Sequence, residues 1–591
     1  MGEGTAARRR RLRLLVAGPV VAAGLLAALT AAPAQGAVPA AEDGSSGLGS
    51  ALGGGLGAAV APRVSASPRA VVRPAVGPVL SIDATTGRHA ISAGIYGMSY
   101  LSGTTAAASG ATLDRWGGNS TSRYNYLNDT YNTGSDWYYE NIVAGTGDRL
   151  TDRLAFDRAR RLSSVVTVPM TGWVAKASPS SHPFTCGFPR SLFAVQDSFD
   201  PWDSGCGNGV RNGTALTPES PATTSVAAGP AFAGAMVSSL VGRYGTAAKG
   251  GVRYYSLDNE PALWNSTHRD VHPAAVTYDE LAAKSTATAA AVKAADPSAL
   301  VLGPGDWGWC AWFYSAADGC SPGADRAAHG GLDLAPWYLA QMRAYANAHG
   351  GRRVLDLLDE HYYPQASGVA LSTAGSAATQ ALRLRSTRSL WDPRYVDESW
   401  IGRDVGAPPI ALIPRMRAWA ATYYPGTRLA ITEYNFGGLE SLNGALTQAD
   451  VLGIFGREGL ALAALWGAPG PGQPGTFAFR LYRNYDGRGH GFGGTSVRAV
   501  SADQGRLSVY AARRASDSSL TVVVINKTAR ALTSRVRLAH VRLRSTAVAR
   551  WTYSAADLHR IVRRSNVAAT STGLITTFPA NSATMLVLPL R

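Results

Sequence analysis

Short apolar runs recur along the chain, each followed by a polar loop and then by a stretch with helical spacing. The runs are Ile95–Met98, Thr112–Trp116, Ser163–Met170, Val252–Leu257, Leu300–Gly303, Val354–Tyr362, Arg428–Thr432 and Leu460–Trp466. Between them, Ala231–Tyr244, Tyr278–Ala295, Ala335–Ala348 and Ala411–Tyr423 repeat their apolar positions as one face of a helix does. Runs that are apolar throughout, each followed by a helix, predict strands buried on both faces of a parallel sheet. Eight such units predict a TIM-like (β/α)8 barrel. The rival is an open doubly wound sheet, but no Gly-x-Gly-x-x-Gly follows the first run, so its nucleotide-binding form lacks a fingerprint.

Past about residue 480 the texture changes. Leu507–Ala511, Leu520–Ile525, Val536–Leu543, Ala547–Tyr553, Gly573–Phe578 and Ala583–Leu588 are short alternating runs separated by turn residues. That pattern predicts an antiparallel β-sandwich. The domain reading is a barrel over 91–479 and a second, all-β sandwich domain over 480–591. A strand from 79–90, carrying Val79–Ile82, joins the sandwich. The Arg-rich stretch from Arg530 to Arg550 is read as the solvent faces of these strands.

The N-terminus changes the picture of where the protein works. Arg8–Arg11 and Arg13 precede an apolar run from Leu14 to Leu29, and small residues follow through Ala32, Ala34 and Ala37. Residues 1–37 are therefore read as a secretory signal peptide. The run falls short of the roughly 20 residues a spanning helix needs, so no membrane association is expected after cleavage. Residues 38–78 are Ala, Gly, Pro and Ser with few large apolar side chains, a disordered linker by composition. In an exported chain the four cysteines read as two disulfides. Cys186–Cys206 and Cys310–Cys320 are favoured over the other two connectivities because each closes a short loop. A zinc site lacks Cys-x-x-Cys or paired His spacing.

Net charge is +16, from 56 basic against 40 acidic residues. Nucleic-acid binding is not expected from it. Only five of the basic residues are lysines, the arginines are scattered, and no basic stripe interleaves with stacking aromatics.

Reactive groups of a barrel project from the C-terminal ends of its strands. The fourth run ends Ser256-Leu257-Asp258-Asn259-Glu260-Pro261 and the seventh ends Ile431-Thr432-Glu433-Tyr434-Asn435. Each puts a Glu directly after a buried run, where an ionised carboxylate is costly without partners. Two such residues facing across a barrel mouth suit glycoside hydrolysis, with retention or inversion set by their separation. Asn259 can hold a sugar hydroxyl. The other run ends supply Arg115-Trp116-Gly117-Gly118-Asn119, Trp173, Trp307 and Trp309, His361 and Tyr363, and Trp466. Aromatic rings there offer flat apolar faces for pyranose stacking.

These segments resemble glycoside hydrolase family 44, a family of secreted endo-β-1,4-glucanases and xyloglucanases. The likeness lies in Arg115–Asn119 with Tyr124-Asn125-Tyr126, in Gly134-Ser135-Asp136-Trp137, and in the decapeptide Tyr255–Trp264 followed by Thr267-His268. Gly303-Pro304 through Trp309, His361–Gln365 and Ile431–Tyr434 continue it in order. The resemblance implies a barrel with a β-sandwich, Glu260 as acid/base and Glu433 as nucleophile of a retaining mechanism. His361 and Tyr363 would orient Glu433, while Arg115 and Asn259 hold sugar or carboxylates. It implies no cofactor for the chemistry; some members of the family carry a structural calcium, for which Asp200 and Asp203 are conceivable ligands here. The expected partner is a β-glucan polysaccharide and the chain is read as a monomer. Two stretches look distinctive beside the family, Cys186–Pro221 and Ser367–Gly406. Two readings compete: a hemicellulase acting on xylan or mannan through the same pair, and a non-catalytic glucan-binding surface protein.

Overall fold

A computed structural model describes residues 73–403 and 406–591. The expected signal peptide and most of the linker lie outside the described residues. Eight parallel strands close into a barrel: Gly97–Ser99, Leu113–Trp116, Ser163–Val168, Tyr254–Leu257, Leu300–Asp306, Leu357–Glu360, Arg428–Tyr434 and Leu462–Leu465. All eight apolar runs contribute a strand. Each is followed by a helix, the last being Pro474–Arg483. That helix carries the barrel four residues past position 479, because its apolar face continues through Leu481 and Tyr482 into the core.

Two-residue periodicity organises the barrel interior. Leu113, Val165, Tyr254, Leu302, Leu357, Ala430 and Leu462 pack together as an apolar plug. Gly97 adds no side chain there, because a Cβ would sit 2.5 Å from Leu113 Cδ2. Two residues further along the same strands, the inward positions become polar: Arg115, Thr167, Ser256, Asp359 and Thr432, all buried. Alternation thus builds an apolar floor with a polar layer directly above it, at the C-terminal mouth.

Strands after residue 494 form the sandwich, ordered around a shared strand, Thr495–Ser501. Its first half pairs with Leu507–Arg514 and its second half with Leu80–Asp83. Leu80–Asp83 also lies beside Leu532–Ala539. Ala75–Val76 pairs with Leu532 and Thr533 as well, so the ordered body starts inside the segment read as linker. Val76 is exposed, and a strand held by backbone pairing alone leaves no burial pattern to read. Arg535 and Arg537 face solvent, as expected of that stretch.

The central sandwich strand Ser519–Asn526 is buried at every position and does not alternate. One face, with Leu520, Val522 and Val524, joins the sandwich core. The other, with Val523 and Ile525, joins the barrel core. The barrel contributes helix Leu442–Glu458, buried from Gly444 through Gly456. Gly453 lets Tyr510 approach; a Cβ there would meet the ring at 2.3 Å. Within this apolar interface Asp450 accepts from Lys527 at 2.6 Å, Tyr510 at 2.7 Å and Thr387 at 2.7 Å. Burial opposes the Asp450 carboxylate, but Lys527 and the Tyr510 hydroxyl hold its pKa below the usual carboxylate range.

Truncating one member of such a pair leaves the other charge buried without a partner, at a cost of about 3–5 kcal/mol. Asp450→Ala is therefore expected to lower unfolding free energy by about that amount in a urea titration. Because the folded pKa is depressed, the pair's contribution is complete above the unfolded carboxylate pKa. It is lost as pH falls through the folded value.

Candidate active site

Glu260 and Glu433 arrive at the barrel mouth by different backbone devices. Beyond the fourth strand, Asp258 and Glu260 both take left-handed conformations, φ 64° and 45°, which non-glycine residues adopt only when their surroundings fix them. Here the Asp258 carboxylate accepts from the amides of Met170, Thr171 and Asn259. The Glu260 amide donates to Gly305 O at 3.0 Å, and Ala262 N donates to Asp306 at 3.0 Å. The loop is thereby stapled to the ends of the third and fifth strands. Glu433 instead lies within its strand, which runs on to Tyr434. Register shifts between Ile431 and Tyr434, and such an irregularity re-aims side chains. As a result consecutive Thr432 and Glu433 both reach the mouth.

Arg115 is fully buried beneath the pair. It donates Nη1 to Glu433 Oε1 at 2.7 Å and Nη2 to Asn259 Oδ1 at 2.8 Å. Asn259 Nδ2 continues to Asn119 Oδ1 at 2.9 Å, and Asn119 Nδ2 to both oxygens of Asp136 at 3.2 and 3.0 Å. Tyr363 donates its hydroxyl to Glu433 Oε2 at 2.7 Å. Arg115 and Tyr363 thus occupy one oxygen each of Glu433. Expected to orient Glu433, His361 belongs chiefly to the other carboxylate: Nδ1 is 2.9 Å from Glu260 Oε1 and 3.7 Å from Glu433 Oε2. One residue past the strand Leu357–Glu360, His361 stands between the two acids.

The tautomer of His361 follows from its other neighbour. Thr432 commits its hydroxyl proton to Asp359 Oδ2 at 2.6 Å, so His361 Nε2 must donate to Thr432 Oγ1, 3.2 Å away. The remaining proton is shared between His361 Nδ1 and Glu260 Oε1. Electrostatics drive the two carboxyls apart. Burial, reinforced by the charge of Glu433, raises Glu260 above its ordinary pKa. Glu433 is buried too, but His361, Arg115 and Tyr363 outweigh burial and lower it. One oxygen of each carboxylate and a ring nitrogen of His361 all lie within 4.8 Å of one another.

The glycines of the Arg115–Asn119 segment make room for protein side chains. A Cβ on Gly117 would sit 2.6 Å from the Arg115 guanidinium carbon, and one on Gly118, at φ 98°, 2.6 Å from the Trp466 ring. Trp466 consequently lies over Arg115, 5.9 Å from its ring centre, and edge-on to Tyr100. Trp173 and Trp307 are half-buried at their strand ends. Trp309, expected to bind substrate, is only 6% exposed and packs against Trp312, Phe313 and Arg415. The short helix Trp309–Phe313 turns it into the helix layer, so its faces are already taken. Sequence reasoning passed over Asp136, Asp359 and Thr432 as site members. For the latter two the signal was available, since each lies two residues beyond an apolar inward position.

Cys186–Cys206 and Cys310–Cys320 are the disulfides formed. Beside the first, Glu140, Asp200 and Asp203 crowd together, all buried. Glu140 Oε1 and Asp200 Oδ2 have no hydrogen-bond partner. Burial, together with Asp200, pushes Glu140 up to about 9. Three buried carboxylates, two of them with an orphaned oxygen, match the hard-oxygen donor set of a calcium ion. Glu140 had no place in the sequence reading.

A family profile described as Glycoside hydrolase family 44 matches residues 130–366. The crystal structure of a bifunctional glucanase-xylanase from a metagenome library is 41% identical, with a TM-score of 0.82, over 87% of this chain and 99% of that one. The chain belongs to glycoside hydrolase family 44. A family 44 xyloglucanase from Paenibacillus polymyxa has a TM-score of 0.72 at 29% identity, over 87% of this chain and 100% of that one. Endoglucanase A of Paenibacillus lautus is 36% identical over 485 residues, 78% of this chain. That match spans 65% of the relative's own length, just under two thirds. As in the family 44 xyloglucanase, a closed eight-stranded barrel accompanies a β-sandwich.

Catalysis that needs Glu433 ionised and Glu260 protonated gives a bell-shaped profile of kcat/KM. In such a profile the acid limb would follow Glu433 and the alkaline limb Glu260. His361 lowers both carboxyls. His361→Asn should therefore move both limbs to higher pH, and a profile displaced in one limb alone would contradict the shared position of this ring.

Proposed function

We propose that the protein is a retaining endo-glycosidase that hydrolyses β-1,4-glucans through a glycosyl-enzyme intermediate. The observation that carries this reading is the approach of the two carboxylates to within 4.8 Å through oxygens of opposite electrostatic character. Retaining pairs lie about 5–5.5 Å apart, whereas inverting pairs need roughly 6.5–9.5 Å to admit a water.

Glu433 is the nucleophile. Arg115 and Tyr363 fix its orientation, and attack uses the electron pair of an oxygen held ionised by those donors. Glu260 is the acid: its proton, shared with His361, passes to the glycosidic oxygen as the C–O bond breaks. With the leaving chain gone, Glu260 accepts a proton from water, whose oxygen displaces Glu433 at the anomeric carbon. Because His361 stays within reach of both carboxylates, the charge exchanged between them remains partnered at each step. Asn259 and Asn119 bind sugar hydroxyls, with Trp173, Trp307 and Trp466 as half-open aromatic surfaces.

The family relatives named for endoglucanase and xyloglucanase activity support β-1,4-glucan as substrate. A second reading, a backbone of xylose units, is favoured by the relative described as a bifunctional glucanase-xylanase. The basic leader with its apolar run and small-residue cleavage points supports secretion. Among the described residues no helix is long and apolar enough to cross a membrane.

Reducing-end release by residues 38–591 should be seen on xyloglucan and carboxymethyl-cellulose, with xylan as the discriminating substrate. Proton NMR of the first-formed product should show the anomeric configuration retained. Glu433→Gln should abolish turnover, and Glu260→Gln should slow it about 10²–10⁴-fold, with circular dichroism unchanged. An inverted product would remove the nucleophile role from Glu433.

Glu140, Asp200 and Asp203 would hold a structural calcium whose charge neutralises the cluster and supplies nothing to the reaction. Excess chelator should lower the melting temperature of the wild-type protein and leave Asp200→Asn, already destabilised, nearly unaffected.

A further inference from the structure

The loop closed by Cys186–Cys206 carries an unusual amount of exposed apolar surface. Leu192 is 58% exposed, Val195 64% and Trp202 70%. Exposed apolar surface concentrated in one segment marks a contact site, and the segment is held rigidly. The disulfide ties its ends together, and Asp200 N donates to Cys206 O at 2.9 Å. Trp202 N donates to Asp200 Oδ1 at 3.1 Å, and Asp203 accepts from the amides of Phe184 and Gly205 at 2.7 and 3.1 Å. Trp202 stacks on Trp137, ring centres 5.2 Å apart at 28°, and Trp137 meets Tyr138 edge-on.

Trp137 is continuous with the catalytic centre. It follows Asp136, whose carboxylate closes the chain running from Glu433 through Arg115, Asn259 and Asn119. A line of polar side chains thus leads from the nucleophile along the mouth and ends at an aromatic stack with one open tryptophan face. A flat apolar face beside a solvent-open carboxylate is the combination that grips a pyranose ring, the ring stacking and the hydroxyls donating.

We propose that Trp202, backed by Trp137 and flanked by Asp136, forms a distal subsite that binds a sugar unit of the β-glucan chain several units from the bond cleaved. This rests on the β-glucan hydrolase reading. The disulfide loop is then the element that lengthens the binding cleft, and chain length is what it selects. Because Trp202 is engaged only by chains long enough to reach it, its binding energy favours polymer over short oligosaccharides.

The test compares four-unit and eight-unit cello-oligosaccharides. Their dissociation constants are measured calorimetrically on the Glu433→Gln protein with Trp202 intact, replaced by Ala, or replaced by Tyr. One aromatic face corresponds to about 3- to 10-fold in affinity. Trp202→Ala should weaken the eight-unit ligand by that factor, shrinking the difference between the two lengths, and Trp202→Tyr should largely restore it. Equal weakening for both lengths, or none for either, overturns the subsite. Wild-type protein is assayed alongside on the same oligosaccharides. Failure to cleave either one overturns the hydrolase reading itself, whereas cleavage with an unchanged length preference in Trp202→Ala overturns only the subsite.

Discussion

The site depends on a guanidinium buried where no water reaches it. Arg115 cannot shed its proton, and its burial is tolerable only while Nη1 and Nη2 are taken by Glu433 and Asn259. That requirement favours Glu433 as an anion and orients Asn259 next to Glu260. It also obliges the neighbouring backbone to be glycine at positions 117 and 118, since any side chain would collide with Arg115 or with Trp466 above it. Charge compensation inside the barrel thus sets side-chain orientation, ionisation state and local sequence together.

Around that charge the two carboxylates differ through neighbours more than through burial. Glu433 has a fixed cation and a phenol; Glu260 has a histidine that can hold or release the same proton. Protonating His361 in place of Glu260 leaves the total charge of the cluster unchanged. The proton shared across the 2.9 Å contact between His361 and Glu260 has a partner on both sides, which is what the proposed acid and base role of Glu260 requires.

Strand content and the locations of both acids were legible from residue order, because a buried parallel strand followed by a helix leaves an unambiguous apolar run. The polar layer above the plug was legible in principle, as Leu357, Asp359 and His361 share one face by simple alternation. The partner of His361 was not. It depends on how neighbouring strands are staggered and on the irregularity after Ile431, which places Thr432 and Glu433 together against expectation. Trp309 misled for a related reason: a tryptophan after a strand end reads as a platform until the following turn of helix shows which way it faces. Ser519–Asn526 belongs to the same class, since its uniform burial follows from a barrel helix lying on its outer face.

That shared surface governs how the molecule comes apart. Helix Leu442–Glu458 supplies the barrel wall on one side and receives Tyr510 and Lys527 on the other. Losing the sandwich would strip cover from a helix that the barrel needs for closure, and losing the barrel would open one face of a strand that has no polar side. Each architecture therefore loses part of its core when the other unfolds, which couples their melting. A barrel excised at the domain boundary would bare the apolar face of that helix and behave as an aggregation-prone fragment.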